Sequence, residues 1–332
     1  SYSNLRRFIS RNQMPPKDAV RIEEMINYFD YDYPDPKGEH PFSLSTEIGP
    51  CPWNKEHRLV HIGLQGKKPD YNTPKSSNLV FLIDSSGSMD EPGKLPLLKQ
   101  SFKLLLEQLD TNDRISIVAY AGSAGVVLPA TPASQEKRIL AALEGLQAGG
   151  STAGGEGIKL AYKIAKEKFI ENGNNRVILA TDGDFNVGAS SEGELTRLIE
   201  ERRDQGIYLT VLGFGMGNIK DNKMEALADK GNGNYAYIDN ALEAKKVLVS
   251  QMAGTLFTIA KDVKIQVEFN PAKVKAYRLI GYENRKLADR DFNDDKKDAG
   301  DMGAGHSVTA LYEIVPADSP ENVAAVDPLV YQ

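Results

Sequence analysis

Three oxygen-bearing side chains, Asp84, Ser86 and Ser88, stand at alternate positions of Asp84-Ser85-Ser86-Gly87-Ser88. One carboxylate and two hydroxyls, alternating with Ser85 and Gly87, let hard ligands converge from a single short loop. Such a set, with little charge among the donors, suits a small hard cation such as Mg²⁺, which keeps waters and accepts carboxylate and hydroxyl oxygens. Two further loops carry the same chemistry: Gly150-Ser151-Thr152 lies in a glycine-rich stretch, and Asp182 follows Ala180-Thr181.

The elements that must position these residues are legible as apolar runs. Leu79-Val80-Phe81-Leu82-Ile83 is five apolar residues long and rich in branched side chains, the texture of a strand buried on both faces. Arg176 to Ala180 repeats it ahead of Asp182. From 77 to 255 strands and helices alternate, which predicts a doubly wound, mostly parallel sheet flanked by helices. Leu95, Leu98, Phe102, Leu105 and Leu109 form one helical stripe, and further strands are expected at 114–120, 125–128, 208–214 and 235–238.

Asp-x-Ser-x-Ser at the end of a first strand, with a Thr and an Asp on two later loops, resembles the metal-ion-dependent adhesion site of von Willebrand factor type A domains. The resemblance implies that Ser86, Ser88 and Thr152 coordinate Mg²⁺ directly, with Mn²⁺ or Ca²⁺ as substitutes. It implies that Asp84 and Asp182 act directly or through waters, and that a partner protein supplies an Asp or Glu carboxylate as the last ligand. The same resemblance makes the strands ending at Asp84 and Asp182 neighbours at the switch point of the sheet, where ligands bind in open α/β folds.

On either side the texture changes. Lys17 to Phe29 has helical spacing behind Pro15-Pro16, and strands are expected at 42–48 and 59–64 before a polar linker. Beyond 256, period-2 segments occur at 263–269, 276–280 and 308–314. Neither end has strands enough to bury a core alone. The reading is a smaller β-sandwich-like domain built from N- and C-terminal segments, with the central domain inserted. The division is residues 1–76, 77–255 and 256–332, the last pairing with 40–65.

These outer segments, Pro15 to Phe29 and Gly303 to Glu313, look like those of bacterial von Willebrand factor A-domain proteins, many of them envelope lipoproteins. That resemblance implies a cell-envelope location. The chain itself opens without a methionine or an apolar signal region, so any lipid anchor would lie upstream.

Composition limits the alternatives. The net charge of −6 with no basic stripe argues against nucleic acid, and no apolar run approaches the roughly 20 residues of a membrane span. A single cysteine, Cys51, permits no internal disulfide. Gly149 to Gly155 lacks the lysine of a phosphate loop, and Gly213 to Gly217 has the wrong spacing for a dinucleotide fingerprint. His57 and His61 lack a third zinc ligand, Asp90 and Glu91 read as solvated first-turn acids, and the acidic run 289–301 misses the glycine and glutamate of a calcium loop. No Gly-x-Ser-x-Gly elbow occurs, so the expectation is a non-enzymatic, cation-dependent protein-binding module. A metal-dependent hydrolase at the same site, or a scaffold with a vestigial site, are the competing readings.

Overall fold

The computed structural model describes residues 2–68, 76–150, 154–183, 185, 192–215, 221–251, 258–283, 286–288, 292–293 and 300–323. Of the residues singled out from the sequence, Thr152, Met216, Gly217 and most of the acidic run 289–301 lie outside these. The chain divides into two compact units: Ser1–Val20 with Lys68–Lys261 and Gly300–Gly305, and Arg21–Lys67 with Asp262–Ala299 and His306–Gln332.

The larger unit is the expected doubly wound fold. Its strands are β3 (Ser77–Asp84), β4 (Arg114–Tyr120), β5 (Ala124–Pro132), β6 (Asn174–Thr181), β7 (Ile207–Phe214) and β8 (Tyr235–Ile238). They lie in the order β5-β4-β3-β6-β7-β8. All neighbours are parallel except the β4–β5 hairpin at the edge. The apolar run of β3 is explained by alternation between two buried layers. Leu79, Phe81 and Ile83 face the layer that includes α3 (Leu95–Leu106) and α4 (Glu136–Glu144), while Val80 and Leu82 face that of α5 (Gly154–Glu167) and α6 (Glu192–Asp204). Side chains of a strand point alternately to opposite faces, so the middle of a central strand covered on both is apolar at every position. Phe81 and Phe102 lock β3 to α3 with ring centroids 4.2 Å apart.

The order of the strands places β3 beside β6, although nearly a hundred residues separate them. Successive connections leave β3 toward β4 on one side and return to β6 on the other. The carboxyl ends of β3 and β6 therefore form the crevice where the winding reverses. Helices α7 (Asp221–Lys230) and α8 (Ala241–Lys245) complete the unit. Asn240 caps α8 by accepting from the N–H groups of Leu242 and Glu243 at 2.9 and 3.0 Å. An N-terminal helix α1 (Tyr2–Ser10) is tied in through Arg6, whose guanidinium reaches Asp239 at 2.6 Å and Glu243 at 2.9 Å.

The smaller unit is an antiparallel sheet in the order β1-β2-β12-β10, drawn from both ends of the chain. Its strands are β1 (Phe42–Pro50), β2 (Arg58–Gly66), β10 (Val274–Ile280) and β12 (Ser307–Pro316). The helix expected over 17–29 is broken. A short 3₁₀ turn at Lys17–Ala19 ends in extended backbone at Val20 and Arg21, and only Ile22–Ile26 (α2) is α-helical. The apolar stripe behind that expectation is not buried: Val20, Ile22 and Phe29 are exposed, whereas Arg21 and Glu23 are buried. Arg21 pairs with Glu24 at 2.6 Å, and Glu23 accepts the backbone N–H of Tyr282 at 2.9 Å. Polar hydrogen bonds decide this segment. Likewise, the alternating stretch 264–269 is not a strand; β9 (Thr258–Val263) precedes it and pairs with β11 (Gly300–Gly303).

Candidate functional site

Asp84 is the last residue of β3 and is fully buried. Its Oδ1 accepts the backbone N–H of Ser86 at 2.9 Å, so the carboxylate shapes its own loop as an Asx turn. Its Oδ2 accepts from the Tyr120 hydroxyl of β4 and from the Thr181 hydroxyl of β6, both at 3.2 Å. Three strands thus converge on one carboxylate. Burial pushes the Asp84 carboxyl above the usual carboxylate range, opposed by the hydrogen bonds from Ser86.

After Asp84 the chain turns through a 3₁₀ helix at Gly87–Asp90, which brings Ser86 and Ser88 side by side with hydroxyl oxygens 3.0 Å apart. Backbone bonds fix the loop to its neighbours. The N–H of Ser85 donates to Tyr120 O at 2.9 Å, Gly87 N–H to Gly150 O at 3.1 Å, and Gly149 N–H to Ser85 O at 2.8 Å. The Gly-rich loop that leads to Thr152 is therefore fastened to the Ser86–Ser88 loop at Gly149 and Gly150. Gly150 itself has φ +81°, which favours glycine.

The structure brings Asp84, Ser86, Ser88 and Asp182 to the carboxyl edge of β3 and β6, while Thr152 lies outside the described residues. Sequence reasoning missed three members of this neighbourhood. Tyr120 and Thr181 hold Asp84. The third is Lys94, which is 5% exposed at the entry to α3. Its Nζ donates to the Asp182 Oδ2 at 3.1 Å, to the Ser88 carbonyl at 2.8 Å and to Glu91 at 3.2 Å. Burial works against its charge, but Asp182 and Glu91 more than offset this, and its pKa is raised. Lys94 has no motif of its own, and nothing in its spacing marks it. The one signal is chemical: an adjacent pair of buried aspartates calls for a compensating cation.

The donor set is all oxygen. Mg²⁺ with bonds of about 2.0–2.1 Å in an octahedron has neighbouring ligand oxygens about 3 Å apart. The Ser86–Ser88 hydroxyl separation of 3.0 Å fits that edge. Among the described residues no group of three or more His, Cys, Asp and Glu is placed to hold a metal. The oxygen donors among the described residues at this edge are instead two carboxylates, Asp84 and Asp182, and the two hydroxyls of Ser86 and Ser88. The histidines lie elsewhere: His57 Nδ1 contacts Glu313 at 2.5 Å, and His61 Nε2 contacts the Tyr33 hydroxyl at 2.7 Å. Glu91 is exposed at the rim and engaged by Lys94.

Comparison with known proteins bears on the whole chain. The von Willebrand factor type A domain family matches residues 78–251, a von Willebrand factor family matches 1–61, and the C-terminal family of uncharacterized protein YfbK matches 254–332. The uncharacterized protein YfbK of Escherichia coli K12 is 46% identical over 321 residues, covering 95% of this chain and 56% of its own length. The uncharacterized protein sll0103 of Synechocystis is 31% identical over 188 residues, covering 56% of this chain and 43% of its own. The chain thus spans about half the length of these relatives. Among solved structures, a von Willebrand factor type A protein from Catenulispora acidiphila superposes with a TM-score of 0.50 at 19% identity. It covers 89% of this chain and 69% of its own, a likeness of fold.

Proposed function

The chain belongs to the von Willebrand factor type A domain family, and we propose that it is a non-enzymatic protein-binding module whose grip depends on a divalent cation. In this reading Ser86, Ser88 and Thr152 hold Mg²⁺ through their hydroxyls, and Asp84 and Asp182 support the site from behind. The cation supplies a Lewis-acidic point that accepts one carboxylate from an Asp or Glu of a partner protein. The observation that carries the reading is the 3.0 Å pairing of the Ser86 and Ser88 hydroxyls in the loop that the buried Asp84 carboxylate holds through the Ser86 N–H, at the point where the sheet reverses its winding.

Both oxygens of Asp84 already accept protein hydrogen bonds, and one oxygen of Asp182 accepts from Lys94. A carboxylate engaged in this way delivers less of its charge to a cation than a free one. The hydroxyl ligands are neutral, so the cation retains an appetite for an external anion. Turnover is no part of the reading: all four histidines fall in the other unit, and no general base is assigned at the site. A location at the cell envelope, with any membrane contact through a lipid anchor outside the sequence in hand, completes the proposal. No helix of the described residues is long and apolar enough to cross a membrane.

Titration calorimetry of metal-stripped protein with Mg²⁺ and with Mn²⁺ tests the cation site. Saturable binding that is lost in Ser86→Ala and in Asp84→Ala is the expected result. Absence of binding to the wild-type protein would overturn the reading in favour of a scaffold that needs no metal. Hydrolysis of a phosphate or ester that disappears with Asp84→Ala would overturn it in favour of an enzyme.

A further inference from the structure

We propose that Lys94 is a built-in counter-charge of the cation site, keeping the bound divalent ion short of neutralisation so that a carboxylate with one negative charge completes it. The inference rests on the cation-site reading above and names a residue and a charge balance which that reading does not contain.

Lys94 is held in place, not merely near. Its ammonium donates to Asp182 Oδ2 and to the Ser88 carbonyl, at 3.1 and 2.8 Å, and so ties the Asp182 loop to the loop that carries the two serines. Its stem lies against Gly215, just past β7. A Cβ built on Gly215 would collide with Lys94 Cε and come within 2.6 Å of Cγ, and Gly215 has φ +90°. Only glycine leaves room for the lysine there. Gly215 is itself anchored, since the Tyr237 hydroxyl donates to its carbonyl. A buried cation that has a carboxylate partner, a carbonyl partner and a tailored channel for its stem is a designed part of the site.

The charge balance is counted over the described residues. Asp84 and Asp182 are buried and carry two negative charges between them; the hydroxyl ligands carry none. Glu91 is exposed and solvent screens it. A divalent cation on two carboxylates alone would carry little net charge, and an incoming carboxylate would then find a weaker attraction. With Lys94 the loaded site keeps one net positive charge. A monoanionic carboxylate cancels it, and a neutral or cationic group is left with an uncompensated buried charge, which is costly. The lysine should therefore act in opposite directions on the two binding steps. It repels the metal and attracts the partner's anion.

The test uses the full chain with Lys94→Met, which keeps the length of the stem and removes the charge, and Lys94→Gln as a second variant. Melting temperatures establish that each is folded. Mn²⁺ affinity is read by calorimetry, and acetate, as the carboxylate probe, is titrated into Mn²⁺-saturated protein and followed by water-proton relaxation. The expected result is Mn²⁺ binding tightened on the order of tenfold or more in both variants, with acetate binding weakened by a similar factor. Unchanged affinities in the variants, beside normal Mn²⁺ binding by the wild type, would overturn the role of Lys94 and leave the cation site standing. Weaker Mn²⁺ binding in the variants would overturn it too, assigning Lys94 to orientation of Asp182 alone. A wild-type protein that binds no Mn²⁺ would remove the cation site itself.

Discussion

The Tyr120 hydroxyl donates to Asp84 Oδ2 across 3.2 Å, from the neighbouring strand and within a fully buried pocket. The register explains the meeting, because Asp84 and Tyr120 are direct partners in the parallel pairing of β3 with β4. Burial and the adjacent Asp84 carboxylate push the Tyr120 hydroxyl well above its ordinary pKa, so it remains a donor at any physiological pH. Its ring also packs edge-on against Phe185, with centroids 5.8 Å apart.

Tyr120→Phe would keep the packing and delete the donor. One lost hydrogen bond to a buried carboxylate is worth about 1.5–3 kcal/mol. The expected outcome is a lower midpoint in denaturant with an unchanged slope, measured by fluorescence or circular dichroism. A midpoint equal to that of the wild type would show that Thr181 and Ser86 satisfy Asp84 without the tyrosine.

Asp84→Ala is a harsher change, since it orphans three donors at once: the Ser86 N–H and the Tyr120 and Thr181 hydroxyls. A cost of about 3 kcal/mol or more is expected. Asp84→Asn keeps the shape and removes the charge, and should retain more stability than the alanine variant. The two together separate structural from electrostatic roles in thermal melts.

Gly215→Ala tests the channel for Lys94. The left-handed backbone at φ +90° alone costs an alanine about 1 kcal/mol, and the methyl would run into the lysine stem, with Cγ only 2.6 Å away. Either the fold loses stability beyond that figure or Lys94 is displaced from Asp182. A variant as stable as the wild type, with unaltered Mn²⁺ affinity, would show that the stem has other room.

Much of this site is legible in the amino-acid sequence alone. Asp84, Ser86, Ser88 and Asp182 reach one rim because the buried runs before Asp84 and Asp182 are both covered on two faces, and such runs identify themselves as central parallel strands. The supporting residues are not legible there. Tyr120 and Thr181 depend on strand order and register, and Lys94 depends on a cavity left by a glycine more than a hundred residues away. The N-terminal segment misleads for a different reason. Its apolar spacing suggests a continuous helix, but the buried polar contacts of Arg21 and Glu23 outweigh local propensity. The alternation at 264–269 misleads similarly, because period-2 patterning shows which faces differ and not whether a ladder partner exists.

In the smaller unit, Gly63 of β2 lies under the ring of Tyr33, and a Cβ there would approach the ring to 2.5 Å. Tyr33 stacks on Tyr31 at 5.3 Å and bonds both His61 and Thr309, at 2.7 and 2.6 Å. Gly63→Ala should force this ring off its partners at a cost of about 1–3 kcal/mol. Gly49→Ala, at an open position in β1, is the control and should change stability little. Equal effects of the two would show that the ring is free to shift.

Glu313 gives the same unit a pH window. Burial pushes its carboxyl up, but His57, Trp53 and Arg278 bond to it and together hold its pKa down to about 2, against an ordinary 4.5. The distances are 2.5 Å to His57 Nδ1, 2.9 Å to Trp53 Nε1 and 2.6 Å to Arg278 Nε. Cys51 Sγ also faces Glu313 at 3.7 Å, and His57 reaches Glu321 through its other nitrogen at 2.6 Å. His57 is raised above its ordinary 6.5, first by the hydrogen bond to Glu313. A depressed carboxylate stabilises the fold above its unfolded pKa and loses that contribution as pH falls. A raised histidine stabilises fully below its unfolded pKa and loses that contribution as pH rises. Both contributions are therefore whole between pH 4.5 and 6.5. Denaturation followed across this range should show stability declining above pH 6.5 as His57 deprotonates, and declining in acid as pH drops below 4.5 toward 2. His57→Gln should abolish the alkaline limb and shrink the acid one, because His57 is the foremost of the contacts that hold Glu313 down; a wild-type alkaline limb that survives in His57→Gln would assign it to another group.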